Sequence, residues 1–116
     1  MNVTLHLHDE FKRQFRQLRK KYHSLTNDLE EFQKEEFQKE LKKNPFQGDD
    51  LGGGVRKIRM AISSKGKGKS GGARILTLNI LLSDDADVTL LTIYDKNEID
   101  NVSDEYIRWL VNEVRG

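Results

Sequence analysis

The chain has 116 residues, 35% hydrophobic and 34% charged, with a formal net charge of +1. That is the size of one domain with a modest core and a heavily charged surface. The absence of cysteine excludes disulfides, thiolate nucleophiles and cysteine-bound zinc. No apolar run approaches the ~18 residues of a membrane span. Met1-Asn2-Val3-Thr4-Leu5-His6 has neither the basic nor the apolar region of a signal peptide. A cytoplasmic protein is expected, with one domain over 1–116.

Residues 2–8 alternate, with Val3, Leu5 and Leu7 on one face, and predict a short strand. Asp9 is placed to cap a helix carrying Phe11, Phe15, Leu18 and Tyr22 at helical spacing. After a break near His23, Ser24 or Thr26 can cap a second helix with Asp28, Glu30 and Glu31 in its first turns. Its apolar stripe is Leu25, Leu29, Phe32, Phe37 and Leu41, with Lys42 and Lys43 at the C-terminus and Asn44-Pro45 as the stop. Residues 46–54 read as a glycine-rich loop. A second strand is predicted over 55–62, with Ile58, Met60 and Ile62 on one face and Lys57, Arg59 and Ala61 on the other. Ser63 to Gly72 is rich in Gly, Lys and Ser and predicts a mobile linker. Strands over 73–82 and 88–94 flank a turn at 83–87. A loop to Val102 follows, then a helix capped by Ser103 with Ile107, Leu110, Val111 and Val114 inward. The order β-α-α-β-β-β-α predicts an α+β domain: a small antiparallel sheet, a helical hairpin packed on one face, and a C-terminal helix.

The near-neutral total hides a segregation of charge. Residues 9–22 carry six cations and two acids, and residues 83–105 carry eight acids and only Lys96. Residues 56–74 carry seven cations (Arg56, Lys57, Arg59, Lys65, Lys67, Lys69 and Arg74) and no acid. Phosphate neutralisation depends on local potential, so this stretch points to nucleic acid. Lys57 and Arg59, two residues apart on a strand, project from one face. Arg74 opens the next strand and Lys96 follows the last, so these cations converge on an open sheet face. A solvated charged face is the alternative. Tyr94 ends a strand beside them, where it could stack on a base, assist proton transfer or simply pack.

Three other patterns carry less. Gly68-Lys69-Ser70 mimics the end of a phosphate-binding loop, but Ser63 stands where that loop needs glycine, and a strand follows instead of a helix. A basic flap on a nucleic-acid backbone, or a plain connector, fits better. His6 and His8 share a strand face but lack partners for a metal site, and Asp84, Asp85 and Asp87 lack the glycine and distal glutamate of a calcium loop. No metal or cofactor is expected. Trp109 lies off the apolar stripe of the last helix.

Three blocks together resemble the RelE/ParE superfamily of bacterial type II toxins, most closely its HigB-like branch. They are Gly53-Gly54-Val55-Arg56-Lys57-Ile58-Arg59-Met60, Lys69-Ser70-Gly71-Gly72-Ala73-Arg74-Ile75 and Leu90-Leu91-Thr92-Ile93-Tyr94-Asp95-Lys96-Asn97-Glu98. The resemblance implies a toxin neutralised by a cognate antitoxin, a helix-turn-helix protein encoded beside it. It also implies metal-free cleavage of messenger RNA on the ribosome by sheet lysines and arginines with a C-terminal tyrosine. Lys57 and Arg59 match the paired cations of the second strand, Arg74 the arginine opening the third, and Lys96 a basic position after the fourth. The C-terminal tyrosine has no counterpart: its place falls near Val102 or Ser103, with Tyr94 and Tyr106 the nearest substitutes.

The expected function is therefore a ribosome-dependent mRNA endonuclease toxin. Arg59 and Arg74 would hold the scissile phosphate, Lys57 and Lys96 would supply electrostatics and proton transfer, and Tyr94 would assist. Arg56, Lys65, Lys67 and Lys69, with Arg13, Arg16, Arg19 and Lys20 of the first helix, would meet RNA. The alternatives are a ParE-like gyrase poison and an inactive relative that only binds RNA or antitoxin.

Overall fold

The computed structural model describes residues 2–35 and 48–116. The elements are β1 (Asn2–Leu7), α1 (Asp9–Lys21), α2 (Leu25–Phe32), β2 (Asp49–Gly52), β3 (Val55–Met60), β4 (Ala73–Leu82), β5 (Asp85–Asp95) and α3 (Asp104–Arg115), with one 3₁₀ turn at Ser63–Lys65. The strand order is β1-β5-β4-β3-β2. The α+β class and the helical hairpin stand as expected. The sheet is mixed, because β1 runs parallel to β5 with Leu5 opposite Val88, while all other pairs are antiparallel. No described helix is long and apolar enough to cross a membrane.

Each face of the sheet has its own core. Phe11, Leu18, Leu25 and Phe32 from α1 and α2 pack on Ile58, Met60, Ile75, Val88, Leu90 and Ile93. On the other face Leu110, with Val102, Ile107, Val111 and Val114 around it, packs on Val55, Leu76, Leu78, Leu91 and Tyr94. The sheet face expected to be open is thus largely covered by α3. Leu91 reaches this core through a bulge: Leu76 faces Thr92 and Thr77 faces Leu90, so Leu91 is the extra residue.

Four local expectations are corrected. His8, not Asp9, caps α1, its Nδ1 accepting from the Glu10 N–H at 2.9 Å. Ser24 precedes α2 without a side-chain cap bond; its hydroxyl donates to Asp28 at 2.7 Å and accepts from the Ser64 N–H at 2.9 Å. β2 lies in the segment read as loop, since four exposed residues show no alternation to betray an edge strand. The β4–β5 hairpin turns tightly, with Leu82 opposite Asp85, so β5 begins three residues early. Phe37, Leu41, Lys42, Lys43 and Asn44-Pro45 lie outside the described residues.

Candidate active site at the end of the sheet

The strand register assembles the expected cations. Arg59 on β3 stands directly opposite Arg74 on β4, and Arg74 directly opposite Tyr94 on β5. One row along, Lys57 faces Leu76, which faces Thr92. Directly opposed residues share a face, so Lys57, Arg59, Arg74 and Tyr94 lie on the α3 side. Val102 and Ile107, at the start of α3, line a pocket with Lys57 and Tyr94. In the Arg59–Arg74–Tyr94 row Arg59 is exposed, whereas Arg74 is buried and Tyr94 packs in the core under α3. Alternation along β3 explains the rest: Ile58 and Met60 are buried on the α1–α2 side and Arg59 is exposed.

Arg59 and Arg74 are not equivalent. Arg59 is exposed and has no protein partner among the described residues. Arg74 is only 6% exposed, with Nη1 donating to the Lys69 and Ala73 carbonyls at 3.0 and 3.2 Å and Nη2 to the Ser70 carbonyl at 3.1 Å. Of its five N–H groups, the Nε–H and one Nη2–H remain without an acceptor among the described residues. Two such donors suit a pair of phosphate oxygens. Burial, and secondly the charge of Arg59, holds the Arg74 pKa below its ordinary value. That value is so high that the guanidinium stays charged, and an anion in the row would relieve the repulsion.

Tyr94 is buried against α3, so its ring is not free to stack, which corrects one expectation for it. Its hydroxyl is buried without a hydrogen-bond partner among the described residues. Burial raises its pKa, with Arg74 opposing weakly, so it is a donor and not a base near neutrality. The other tyrosines are occupied. Tyr106 donates to Glu10 at 2.9 Å and stacks on Trp109, and Tyr22 donates to Asp95 at 2.5 Å. Ser103 caps α3 by accepting from the Tyr106 N–H. Lys96 is exposed after β5, its backbone N–H bonded to Gly72 at 3.1 Å. Lys57 Nζ lies 3.3 Å from Asn101 Oδ1.

The basic linker is a built loop and not the mobile tether expected. Asp28 accepts from both the N–H and hydroxyl of Ser63, fixing the loop's start to α2. Lys65 Nζ lies 2.8 Å from Asp95, and both side chains are buried, at 7% and 1% exposure. Arg74 grips the carbonyls of residues 69 and 70, and a Cβ on Gly72 would fall 2.1 Å from the Met60 carbonyl, so only glycine closes the loop here. Two assignments to RNA are thereby corrected. Lys65 is consumed by a buried ion pair. Arg56 is buried on the α1–α2 side, bonded to the Gly48 carbonyl and 3.6 Å from Asp50. Lys67 and Lys69 are exposed on the loop. Arg13, Arg16, Arg19 and Lys20 are exposed on α1, in the layer opposite the arginine row, and Arg13 is paired with Glu10.

Sequence reasoning missed Asp95 and Asp28, which shape the site from behind. Burial acts most strongly on Asp95 and opposes its charge. Bonds from Lys65, Tyr22 and the Asn97 N–H outweigh it and hold the carboxyl below its usual pKa. A carboxyl depressed in the folded state stabilises above its unfolded pKa, ~3.9, and that stability is lost as pH falls through the folded value. Thermal melts between about pH 5 and pH 2 should therefore show a steep acid loss that Asp95→Asn makes shallower. A variant with the parental slope would assign the acid transition to other carboxyls.

His6 lies 3.8 Å from Asp87 and His8 is the α1 cap. Among the described residues no group of three or more His, Asp or Glu is placed to hold a metal ion. Arg59 and Arg74 thus stand opposed across neighbouring strands, beside a braced basic loop. Residues 8–113 match the family model described as the RelE toxin of the RelE/RelB toxin–antitoxin system, so the chain belongs to the RelE toxin family, the toxin half of a pair completed by an antitoxin.

Proposed function

We propose that this toxin, nearest the HigB-like branch, is a metal-free, ribosome-dependent mRNA endonuclease of the cytoplasm, formed as one domain over 1–116. The observation that carries the reading is the Arg59–Arg74 row, two guanidinium groups directly opposed across neighbouring strands, one exposed and one buried. Like charges placed so are unfavourable unless an anion joins them. In the reaction the 2′-oxygen of the RNA attacks phosphorus, its proton is removed, the P–O5′ bond breaks and the 5′-oxygen is protonated. Arg59 and the two open donors of Arg74 neutralise the phosphorane. Lys57 and Lys96 add positive potential and exchange protons with solvent or substrate. Tyr94, held protonated, can donate a hydrogen bond to the reacting phosphate.

The test is expression without antitoxin, followed by separate measurement of message integrity and DNA integrity. Growth arrest with cut messages and intact DNA is expected, and in a purified translation mixture a chelator that spares the ribosomes should leave cleavage unchanged. Cut DNA with intact messages would establish the gyrase-poison reading. Normal growth at high soluble expression would leave only the binding relative.

The loop contributes affinity in this reading. Replacing Lys67 and Lys69 by Ala should weaken ribosome or RNA association evenly across sequences. It should also flatten the salt dependence, by a slope of about one for each phosphate no longer neutralised. Binding titrations at several salt concentrations measure it. An unchanged slope would make the loop a brace for Arg74 alone.

A further inference from the structure

We infer that the free edge of β1 joins a second copy of this chain, β1 pairing antiparallel to itself about a two-fold axis at Leu5 so that the two sheets run on as one. β1 is an outer strand, paired to β5 alone among the described residues. An uncovered edge is a row of backbone donors and acceptors. Natural sheets discourage pairing there with charge, proline, bulges or short length. The opposite edge, β2, has such protection: four residues, Asp49 and Asp50 among them, with an irregular register against β3. β1 has none of it. Its six residues, Asn2-Val3-Thr4-Leu5-His6-Leu7, include no lysine, arginine, acid or proline.

The backbone fixes the register. The His8 N–H donates inward to the Leu90 carbonyl at 3.0 Å. Backbone groups point to alternate sides along a strand, so those of Thr4 and His6 also face β5, and those of Val3, Leu5 and Leu7 face outward. Two copies of one edge related by a two-fold axis meet antiparallel. With the axis at Leu5, Leu5 stands opposite its own copy and Val3 opposite Leu7. Every outward residue then meets an outward residue, and the N–H and C=O groups of all three find partners. An axis at Thr4 or His6 would leave one outward residue of β1 without a counterpart in the other β1.

The side chains favour the same occupant. Val3 and Leu5 sit half-buried at the margin of the α1–α2 core, and Leu7 is exposed. Directly opposed residues share a face. The register at Leu5 therefore sets Val3 against Leu7 and Leu5 against Leu5, an apolar row that carries the core of one copy into the next. On the α3 side, exposed Thr4 faces exposed His6. A strand that meets itself meets its own charges, and β1 brings no lysine, arginine or acid to repel its copy. The arginine rows stay apart. Five strand spacings separate β4 of one copy from β4 of the other, about 24 Å at ~4.8 Å each.

The experiment weighs the purified full chain by sedimentation equilibrium and traps the register with cysteine. The interface is one short strand, so a reversible dimer is expected, its fraction rising with concentration. A monomer mass at every concentration up to about 0.5 mM would overturn the dimer and leave the edge to a strand of another protein, the antitoxin included. The chain has no cysteine, so Thr4→Cys and His6→Cys, both at exposed positions, each introduce a single thiol. In the register at Leu5, position 4 lies directly opposite position 6 at ~4.5 Å between Cα atoms, within reach of a disulfide. Positions 4 and 4, or 6 and 6, are diagonal at ~7–8 Å, beyond that reach. Under mild oxidation an equal mixture of the variants should form disulfide dimer severalfold faster than either variant alone. Equal rates in all three samples, or a faster reaction of one variant with itself, would overturn the pairing. Thermal melts of the reduced variants check folding. Should either unfold, the parent is read instead, through nuclear Overhauser contacts between Val3 and Leu7 of different copies in a mixed-label sample, and a dimer without them would overturn the pairing.

Discussion

Lys65→Ala should destabilise the chain by about 3–5 kcal/mol, the usual cost of removing one member of a buried ion pair. For a domain of this size the melting temperature should fall by more than about 10 °C. Lys65 stands on a glycine-rich stretch that looks dispensable, yet its ammonium is 2.8 Å from Asp95, and both side chains are almost fully buried. Its charge also lies 5.6 Å from the Tyr22 ring centre, an arrangement that adds attraction in a desolvated setting. Truncation leaves the Asp95 carboxylate buried with Tyr22 and the Asn97 N–H as its remaining partners among the described residues. Combining Lys65→Met with Asp95→Leu should recover part of the loss, because no unpaired charge then remains; a double-mutant cycle measures the coupling. Were Lys65 an RNA contact, single truncation would leave the melt within about 1–2 °C of the parent and weaken binding instead.

That contrast shows where the sequence stopped being informative. Alternation along Lys57-Ile58-Arg59-Met60 was enough to assign the faces of β3, because a period of two has one solution once the apolar set is known. It also placed Arg56 on the wrong side of its assigned role, since Arg56 alternates with Lys57 and therefore goes with Ile58. Lys65 could not be judged this way. The residue that captures it, Asp95, is thirty positions away, and nothing local distinguishes an acid that ends a strand from one that buries a lysine. β2 escaped for a related reason: its pairing to β3 rests on backbone bonds, which leave no side-chain pattern. The inward stripe Ile107, Leu110, Val111 and Val114 showed that α3 packs, but not that it packs on the sheet face expected to be open, which depended on the length of the 96–103 connection. The arginine row was legible only as convergence; the unequal burial of its two members follows from loop carbonyls that no periodicity reports.

That inequality predicts that Arg59→Ala and Arg74→Ala, alike in chemistry, separate in behaviour. Arg59 is exposed and adds repulsion to Arg74, so its removal should leave the melting temperature unchanged or slightly higher. Arg74→Ala removes a guanidinium donor from three carbonyls, those of Lys69, Ala73 and Ser70, of which Lys69 keeps the Gly72 N–H. A carbonyl left buried without a partner costs ~1–3 kcal/mol and water can reach those on the exposed loop, so a fall of about 1–3 kcal/mol is expected. Cleavage should drop by roughly 10²–10³ in either variant, the usual effect of removing one donor to a transition-state oxyanion. Arg74→Lys refines the test: a lysine keeps the charge but cannot grip the loop and present two parallel donors at once, so it should recover stability only in part and cleavage hardly at all. The measurements are thermal melts and single-turnover cleavage rates at a temperature where every variant is folded. An Arg59→Ala protein that cuts at the parental rate would remove that residue from the site. An Arg74→Ala protein that melts with the parent would mean that the loop carbonyls find other donors, and that Arg74 is held in place by the substrate and not by the fold.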